Sequence, residues 1–282
     1  LAVDMVVLVI SAYEGVQAQT RIIWKLLHKL GLPVLFVVNK IDKDDFYPEE
    51  LLKEIQTELS PSSVAVQKIE AKDDIVALKN SANEALVELL AENNDEILEL
   101  FLSGETIDEG LLQNAYSEQI EKALISPVLY ASAKVGLGID LLLDHLIDYS
   151  ESRDIKRSED LEAIIFKISQ DQQLGKLAHI RLFSGKMAKK QLVYNQRLEE
   201  EQKVNQLKSV FSQKLKDIEE ARTGDIIAVA GFSDIHIGDV LGQNESTRNL
   251  SFNTVPILRT QVKAIEKQDY FKLSEALTQL DL

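Results

Sequence analysis

The stretch Val34–Asp42, VLFVVNKID, decides how the rest of the chain is read. Five consecutive apolar residues, several of them β-branched, fit a strand buried on both faces, as in a parallel sheet. Asn39, Lys40, Ile41 and Asp42 then stand just past the carboxyl end of that strand. In open α/β sheets this end is where ligands bind.

A second corner of the same kind follows. Pro127–Ala133, PVLYASA, is another apolar strand, and it runs into Ser132-Ala133-Lys134. If the two strands are neighbours, both corners face one ligand. Asn39-Lys40-Ile41-Asp42 matches the N-K-x-D box of guanine-nucleotide-binding proteins, and a carboxylate at Asp42 can accept two parallel hydrogen bonds from guanine, at N1–H and at the 2-amino group. Adenine offers no such pair, and unmatched polar groups in a closed site discriminate on the order of 10⁴-fold or more. Asn39 can brace the loop and reach the base edge. The Lys40 stem can lie along the flat face of the base with its ammonium at the rim. Ser132-Ala133-Lys134 resembles the S-A-K box of the same proteins, whose backbone N–H groups meet the guanine O6.

Around these corners strands alternate with helices, which implies βαβ units and a parallel sheet. Asp4–Ser11 is a buried strand and Ser11–Gln19 a loop. Gln17–Leu30 is a helix with Ile22, Ile23, Leu26, Leu27 and Leu30 on one stripe, stopped by Gly31 and Pro33. Trp24 and His28 on it read as packing or surface residues. Pro48 opens a helix to Leu59, and VAVQKIEA at 64–71 is a short strand. Residues 74–92 read as helical. A further helix runs over Asn94–Leu102, capped by Asn93 or Asn94 and closed by Gly104. Thr106-Ile107-Asp108-Glu109 fits a capping box that starts a helix towards Leu124. Ile139–Tyr149 is amphipathic and closes the domain. The many acidic residues here read as solvated helix faces, and no metal site is expected.

Residues 150–160 are polar and charged and read as a linker. Beyond Leu161 the pattern changes to short strands at Ala163–Ser169, His179–Ser184, Gln191–Tyr194, Lys203–Leu207 and Asp225–Ala230, with glycines in the turns. Such a pattern indicates an antiparallel barrel or sandwich. Val255–Val262 is expected as a strand and Gln268–Leu280 as a helix, the start of another unit.

The chain is 45% hydrophobic and 27% charged over 282 residues, enough for two domains. It has no cysteine, which excludes disulfides and thiolate metal sites. No apolar run approaches a membrane span, and no signal peptide is visible, so a cytoplasmic protein is expected. The net charge of −15 argues against non-specific nucleic-acid binding. Both ends look cut, as in a piece of a longer protein.

Several strings together resemble translational GTPases of the elongation factor G group: ISAYEGVQAQT at Ile10–Thr20, NKID, ENNDEILELFLSG at Glu92–Gly104, SAK, FKISQD, GKLAHIRLFSG and TGDIIAVAGFSDIHIGD at Thr223–Asp239. PILRTQVKAIEKQDYFKLSEAL is similar to the start of that group's third domain. Within the group the chain looks most like the ribosomal protection proteins of tetracycline resistance, because the interval between the two boxes lacks the longer insert of elongation factor G. Elongation and release factor three roles are the alternatives, as is a non-catalytic ribosome-docking module.

The resemblance implies a partial G domain over residues 1–152, a translation-factor β-barrel over 161–256, and the first βα of a ferredoxin-like domain over 257–282. It implies guanine recognition by Asn39, Lys40, Asp42, Ser132, Ala133 and Lys134, and GTP or GDP as ligand. It also implies a ribosome partner, with Arg181, Lys186, Lys189 and Lys190 as candidate contacts to small-subunit ribosomal RNA. The full-length protein is expected to hydrolyse GTP with Mg²⁺. No G-x-x-x-x-G-K-[ST] occurs in these residues, so nothing here cradles phosphate. The family's Mg²⁺-holding Asp and water-orienting residue fall before residue 1. The chain alone is therefore expected to be inactive.

Overall fold

The computed structural model describes residues 2–43, 46–71, 74–78, 80, 83–152, 158–171, 173–211, 214–243 and 260–280. Two compact units divide the chain, one over Val3–Asp154 and the other over Ile155–Leu282 with the first two residues.

The first unit is built on a four-stranded parallel sheet. Its strands are β1 (Val6–Ser11), β2 (Val34–Asn39), β3 (Ser63–Ala65) and, after a short antiparallel hairpin of β4 (Gln67–Ala71) and β5 (Asp74–Ala77), β6 (Ser126–Ala131). The order across the sheet is β1-β2-β6-β3. Helices α1 (Ala18–Lys29), α2 (Pro48–Glu58), α3 (Glu84–Ala91), α4 (Asp95–Ser103), α5 (Glu109–Glu121) and α6 (Ile139–Ser152) supply the layers around it.

β2 and β6 are central strands with apolar residues buried on both faces, and this is why their sequences lack alternation. On one face Leu8, Ile10, Phe36 and Val38 meet Leu27 of α1 and Leu51 and Ile55 of α2. On the other, Leu35, Val37, Leu129 and Ala131 lie under Leu142 and Leu146 of α6. Leu35 and Phe36 are both fully buried, and each contributes about 1.5–3 kcal/mol relative to exposure. A separate cluster around Leu86, Leu90, Ile97, Leu112 and Ile120 joins α3, α4 and α5. β1 lies at the margin of the sheet, so its pattern does alternate: Leu8 and Ile10 point inward, while Val7 and Val9 stand exposed.

Asn94 caps α4 by accepting from the Ile97 N–H at 3.0 Å, and Gly104 ends it at φ +72°. Three expectations need correction. VAVQKIEA at 64–71 is not one strand: β3 ends at Ala65 in the parallel sheet, and β4 begins at Gln67 in the hairpin. Residues 74–92 are not one helix: Asp74–Ala77 pairs with β4, and the helix begins at Glu84 behind the Asn83 cap. The cap of α5 is Asp108, which accepts from the Leu111 N–H at 3.1 Å, rather than Thr106 of the anticipated box. One aspartate already satisfies the first-turn donor there.

The second unit is antiparallel. β7 (Glu162–Asp171), β8 (Gly175–Ser184), β10 (Leu192–Asn195), β11 (Glu200–Lys203), β12 (Gln206–Phe211), β13 (Lys214–Asp217), β15 (Ile226–Ala230) and β16 (Val240–Leu241) form one sheet in the order β11-β10-β16-β7-β8-β15-β12-β13. β9 (Lys186–Ala188) and β14 (Glu220–Arg222) form a separate ribbon. One core, including Ile165, Ile180, Leu182, Met187, Leu207, Ile227 and Val229, draws on β7 to β10, β12 and β14 to β16. The strand expected at Lys203–Leu207 is two strands, because the Val204 N–H bonds to Gln191 and the Asn205 N–H to Ala230, in different directions. The expected strand Val255–Val262 lies outside the described residues up to 259, and 260–262 are irregular. A 3₁₀ turn at Lys267–Asp269 leads into α7 (Tyr270–Leu280). Among the described residues no helix is long and apolar enough to cross a membrane.

Candidate functional site

β2 and β6 are hydrogen-bonded neighbours in parallel register, with Asn39 opposite Ala131. Their carboxyl ends therefore deliver residues 39–42 and 132–134 to the same edge of the sheet. Two side-chain bonds then tie the corners together. The Asn39 Oδ1 accepts from the Lys40 N–H at 2.8 Å and from the Ala133 N–H at 3.0 Å. The Ser132 hydroxyl donates to the Asp42 Oδ1 at 2.5 Å. Ser132 is fully buried, which fixes its hydroxyl and, through it, the carboxylate.

The backbone of the first corner is held in an unusual form. Lys40 has φ +71°, a left-handed conformation that costs a non-glycine residue about 1–2 kcal/mol. The Ile41 N–H donates to the Ala131 carbonyl and the Lys43 N–H to the Lys40 carbonyl, so the turn is fastened on both sides. Buried Ile41 anchors it from below. The Lys40 ammonium reaches to 3.8 Å from the Glu14 carboxylate.

The second corner is closed by a bond from the Ser132 N–H to the Leu137 carbonyl at 2.9 Å and from the Gly136 N–H to Ser132 at 2.9 Å. Gly138 lies against the strand end at φ +73°, and a Cβ there would run into the Tyr130 carbonyl oxygen and come within 3.3 Å of the Ala131 Cα. Only glycine lets α6 begin this close to β6.

Electrostatically the corner is set for an anionic acceptor. The Ser132 hydrogen bond holds the Asp42 carboxyl below the usual carboxylate range; partial desolvation opposes it, and the Lys134 and Lys43 charges assist. At neutral pH Asp42 is an acceptor only, with Oδ2 and part of Oδ1 left for two donors from a ligand. Asn39 takes the Ala133 N–H and the Leu137 carbonyl takes that of Ser132, which leaves the Lys134 N–H without a partner among the described residues. Among the described residues, no three His, Asp or Glu side chains stand together to hold a metal ion.

The basic residues of the second unit do not form one comparable cluster. Arg181 on β8 donates from Nη1 to the Gly224 carbonyl at 2.5 Å and its guanidinium lies over Phe183. Lys189 is 3.4 Å from Glu219, while Lys186 and Lys190 are exposed around the start and end of the β9 turn. The sequence strings named the corner residues. They did not reveal the Ser132–Asp42 and Asn39–Ala133 bonds, or Glu14 as the partner of Lys40.

The family described as "Elongation factor Tu GTP binding domain" matches residues 1–152, and "Elongation factor G domain 2" matches 160–244. The chain is 28% identical to the tetracycline resistance protein TetP of Clostridium perfringens, over 99% of this chain and 44% of that protein. It is 30% identical to TetM of Neisseria meningitidis, over 98% and 43%, and 30% identical to an oxytetracycline resistance protein of Streptomyces rimosus, over 99% and 44%. It thus spans less than half the length of these curated relatives. A crystal structure of a Thermus thermophilus protein superposes with a TM-score of 0.79 at 22% identity, over 99% of this chain and 47% of the other, and shows a shared fold. The α/β unit is accordingly part of a GTPase-type domain, and the antiparallel unit is an elongation-factor-type β-barrel. With its first 152 residues matched over more than half its length, the chain belongs to the elongation factor Tu GTP-binding-domain family.

Proposed function

We propose that the paired corners hold a guanine ring, with Asp42 accepting from N1–H and the 2-amino group, the Ser132-Ala133-Lys134 turn meeting O6, and Asn39 and Lys40 bracing the loop and covering the base. The observation that carries this reading is the pair of bonds joining the corners, Asn39 to Ala133 and Ser132 to Asp42, across more than 90 residues of chain in the first case and 90 in the second. They bring an ionised carboxylate and the Lys134 N–H to one sheet edge.

The full-length protein, on this reading, is a ribosome-dependent GTPase that frees the ribosome of tetracycline. Support comes from the resistance proteins it resembles over nearly all of this chain. The domains are proposed as a G domain over 1–152, the barrel over 161–256, and the start of a third domain over 257–282. Exposed Lys186 and Lys190, together with Arg181 and Lys189, are proposed to meet small-subunit ribosomal RNA. Mg²⁺ belongs to the full-length protein. Residues 1–282 contain no phosphate-binding loop sequence, and phosphoryl transfer depends on such positioning groups. Their part is to bind and orient the base.

The test is Asp42→Asn in the full-length protein. Xanthine carries a carbonyl where guanine carries its amino group, so an amide donor suits xanthosine triphosphate. Preference should pass from GTP to xanthosine triphosphate, and undiminished discrimination for GTP would remove Asp42 from the base. Growth on tetracycline with and without the full-length gene tests the resistance role.

A further inference from the structure

The first unit contains a second, separate recess. A cavity of about 160 Å³ opens between the β4–β5 hairpin, α5 and α6, with Leu129 of β6 among its walls. Gln67, Tyr116, Ser117 and His145 also line it.

Three features give the cavity a chemistry. Gln67 is 3% exposed, and its Oε1 accepts from the Tyr130 N–H at 2.8 Å, which fixes the amide orientation. With the amide fixed and its Nε2 closed off from solvent, Gln67 gives the cavity a rigid wall rather than a free donor. Second, the Tyr116 hydroxyl and the His145 Nε2 are 3.1 Å apart. Burial pushes the Tyr116 phenol well above its usual range and the His145 imidazole below its own, so the pair is neutral and offers a donor and an acceptor. Third, Leu129, Ile120, Val66 and Tyr149 provide apolar walls, and Asp148 sets a carboxylate beside them. That carboxylate disfavours an anionic occupant.

Size narrows the choice. An apolar protein cavity of about 150 Å³ holds one benzene ring. This one matches that volume and adds hydrogen-bonding groups. We propose that it is a binding site for a small, neutral, planar ring carrying a carboxamide or a ring nitrogen, whose polar atom meets the Tyr116–His145 pair. Water is the competing occupant: about five molecules would fill the same space. The proposal is independent of the base-binding corners.

Nicotinamide is the probe, followed by ¹H–¹⁵N and aromatic NMR of the whole chain. Saturable shifts should appear at the Gln67 side-chain amide and at Tyr116 and His145, with an affinity on the order of millimolar. Benzoate, of the same shape but anionic, should bind at least about ten-fold more weakly. Ser117→Leu puts a larger side chain into the cavity from a half-exposed helix position and should abolish the shifts. Tyr116→Phe keeps the ring and should weaken binding about ten-fold. Absence of saturable binding to the unmodified chain, equal binding of benzoate, or unchanged binding to the Ser117→Leu chain would each overturn the proposal and leave a water-filled recess.

Discussion

Replacing Gly138 with alanine isolates the close approach that places the second corner. The Gly138 φ of +73° imposes one cost, about 1–2 kcal/mol for a residue with a Cβ. The new Cβ imposes another, because it enters the space of the Tyr130 carbonyl oxygen and lies 3.3 Å from the Ala131 Cα. Both are backbone atoms of the fully buried β6, so neither can swing aside as a side chain would. Overpacking of this kind costs about 1–3 kcal/mol. Gly136 provides the control: its φ is +83°, yet a Cβ there meets nothing within 4 Å. Gly136→Ala should therefore lose about 1–2 kcal/mol and Gly138→Ala about 2–5 kcal/mol. The assay is urea unfolding followed by the fluorescence of Trp24, the sole tryptophan, whose ring lies 5.3 Å from that of Phe36 in the same unit. With a slope of about 1–3 kcal/mol per molar urea, the two midpoints should differ by roughly 1 M. Equal midpoints would refute the argument that α6 is seated against the strand end by a glycine-only contact.

In the barrel, Asp239 is 4% exposed and accepts from Asn195 Nδ2 at 3.0 Å, the His236 N–H at 3.0 Å and Arg197 Nε at 2.6 Å. Asp239→Ala orphans the buried Asn195 donor and should destabilise this unit by about 2–4 kcal/mol, seen as faster hydrogen exchange in β10 and β16; unchanged exchange would show the network to be dispensable. The pH dependence of the first unit should carry the mark of His145, whose imidazole burial pushes down while Asp148 opposes. The folded form resists protonation, so the contribution is full above the ordinary value of 6.5 and is lost as pH falls below it towards the depressed folded value. The Trp24 urea midpoint should drop between pH 7.5 and 5.5, and His145→Gln should flatten that drop; a midpoint insensitive to the substitution would count against it.

The strand-and-corner segments were readable because each is one contiguous string. Val34–Val38 and Val128–Ala131 are apolar throughout since both faces are covered, and the polar residues that follow are set by the strand's end. Asn94 and Gly104 were readable for a similar reason, as caps act within four residues. The errors came where distant partners decide. Asp74–Ala77 has helix-compatible residues and becomes a strand because β4 is there to pair with it. Val204 and Asn205 interrupt a strand because Gln191 and Ala230 take their amides. The geometry joining Ser132 to Asp42 spans 90 residues, and no local pattern encodes it.

The position of β1 has a consequence for how this chain behaves in bulk. Among the described residues its one strand neighbour is β2, so a row of peptide groups along its far side is available to any extended segment that drifts alongside, and Val7 and Val9 add an apolar ledge next to that row. Concentrated solutions of residues 1–282 taken alone should self-associate through this flank, and a charged residue in place of Val9 should keep them clear.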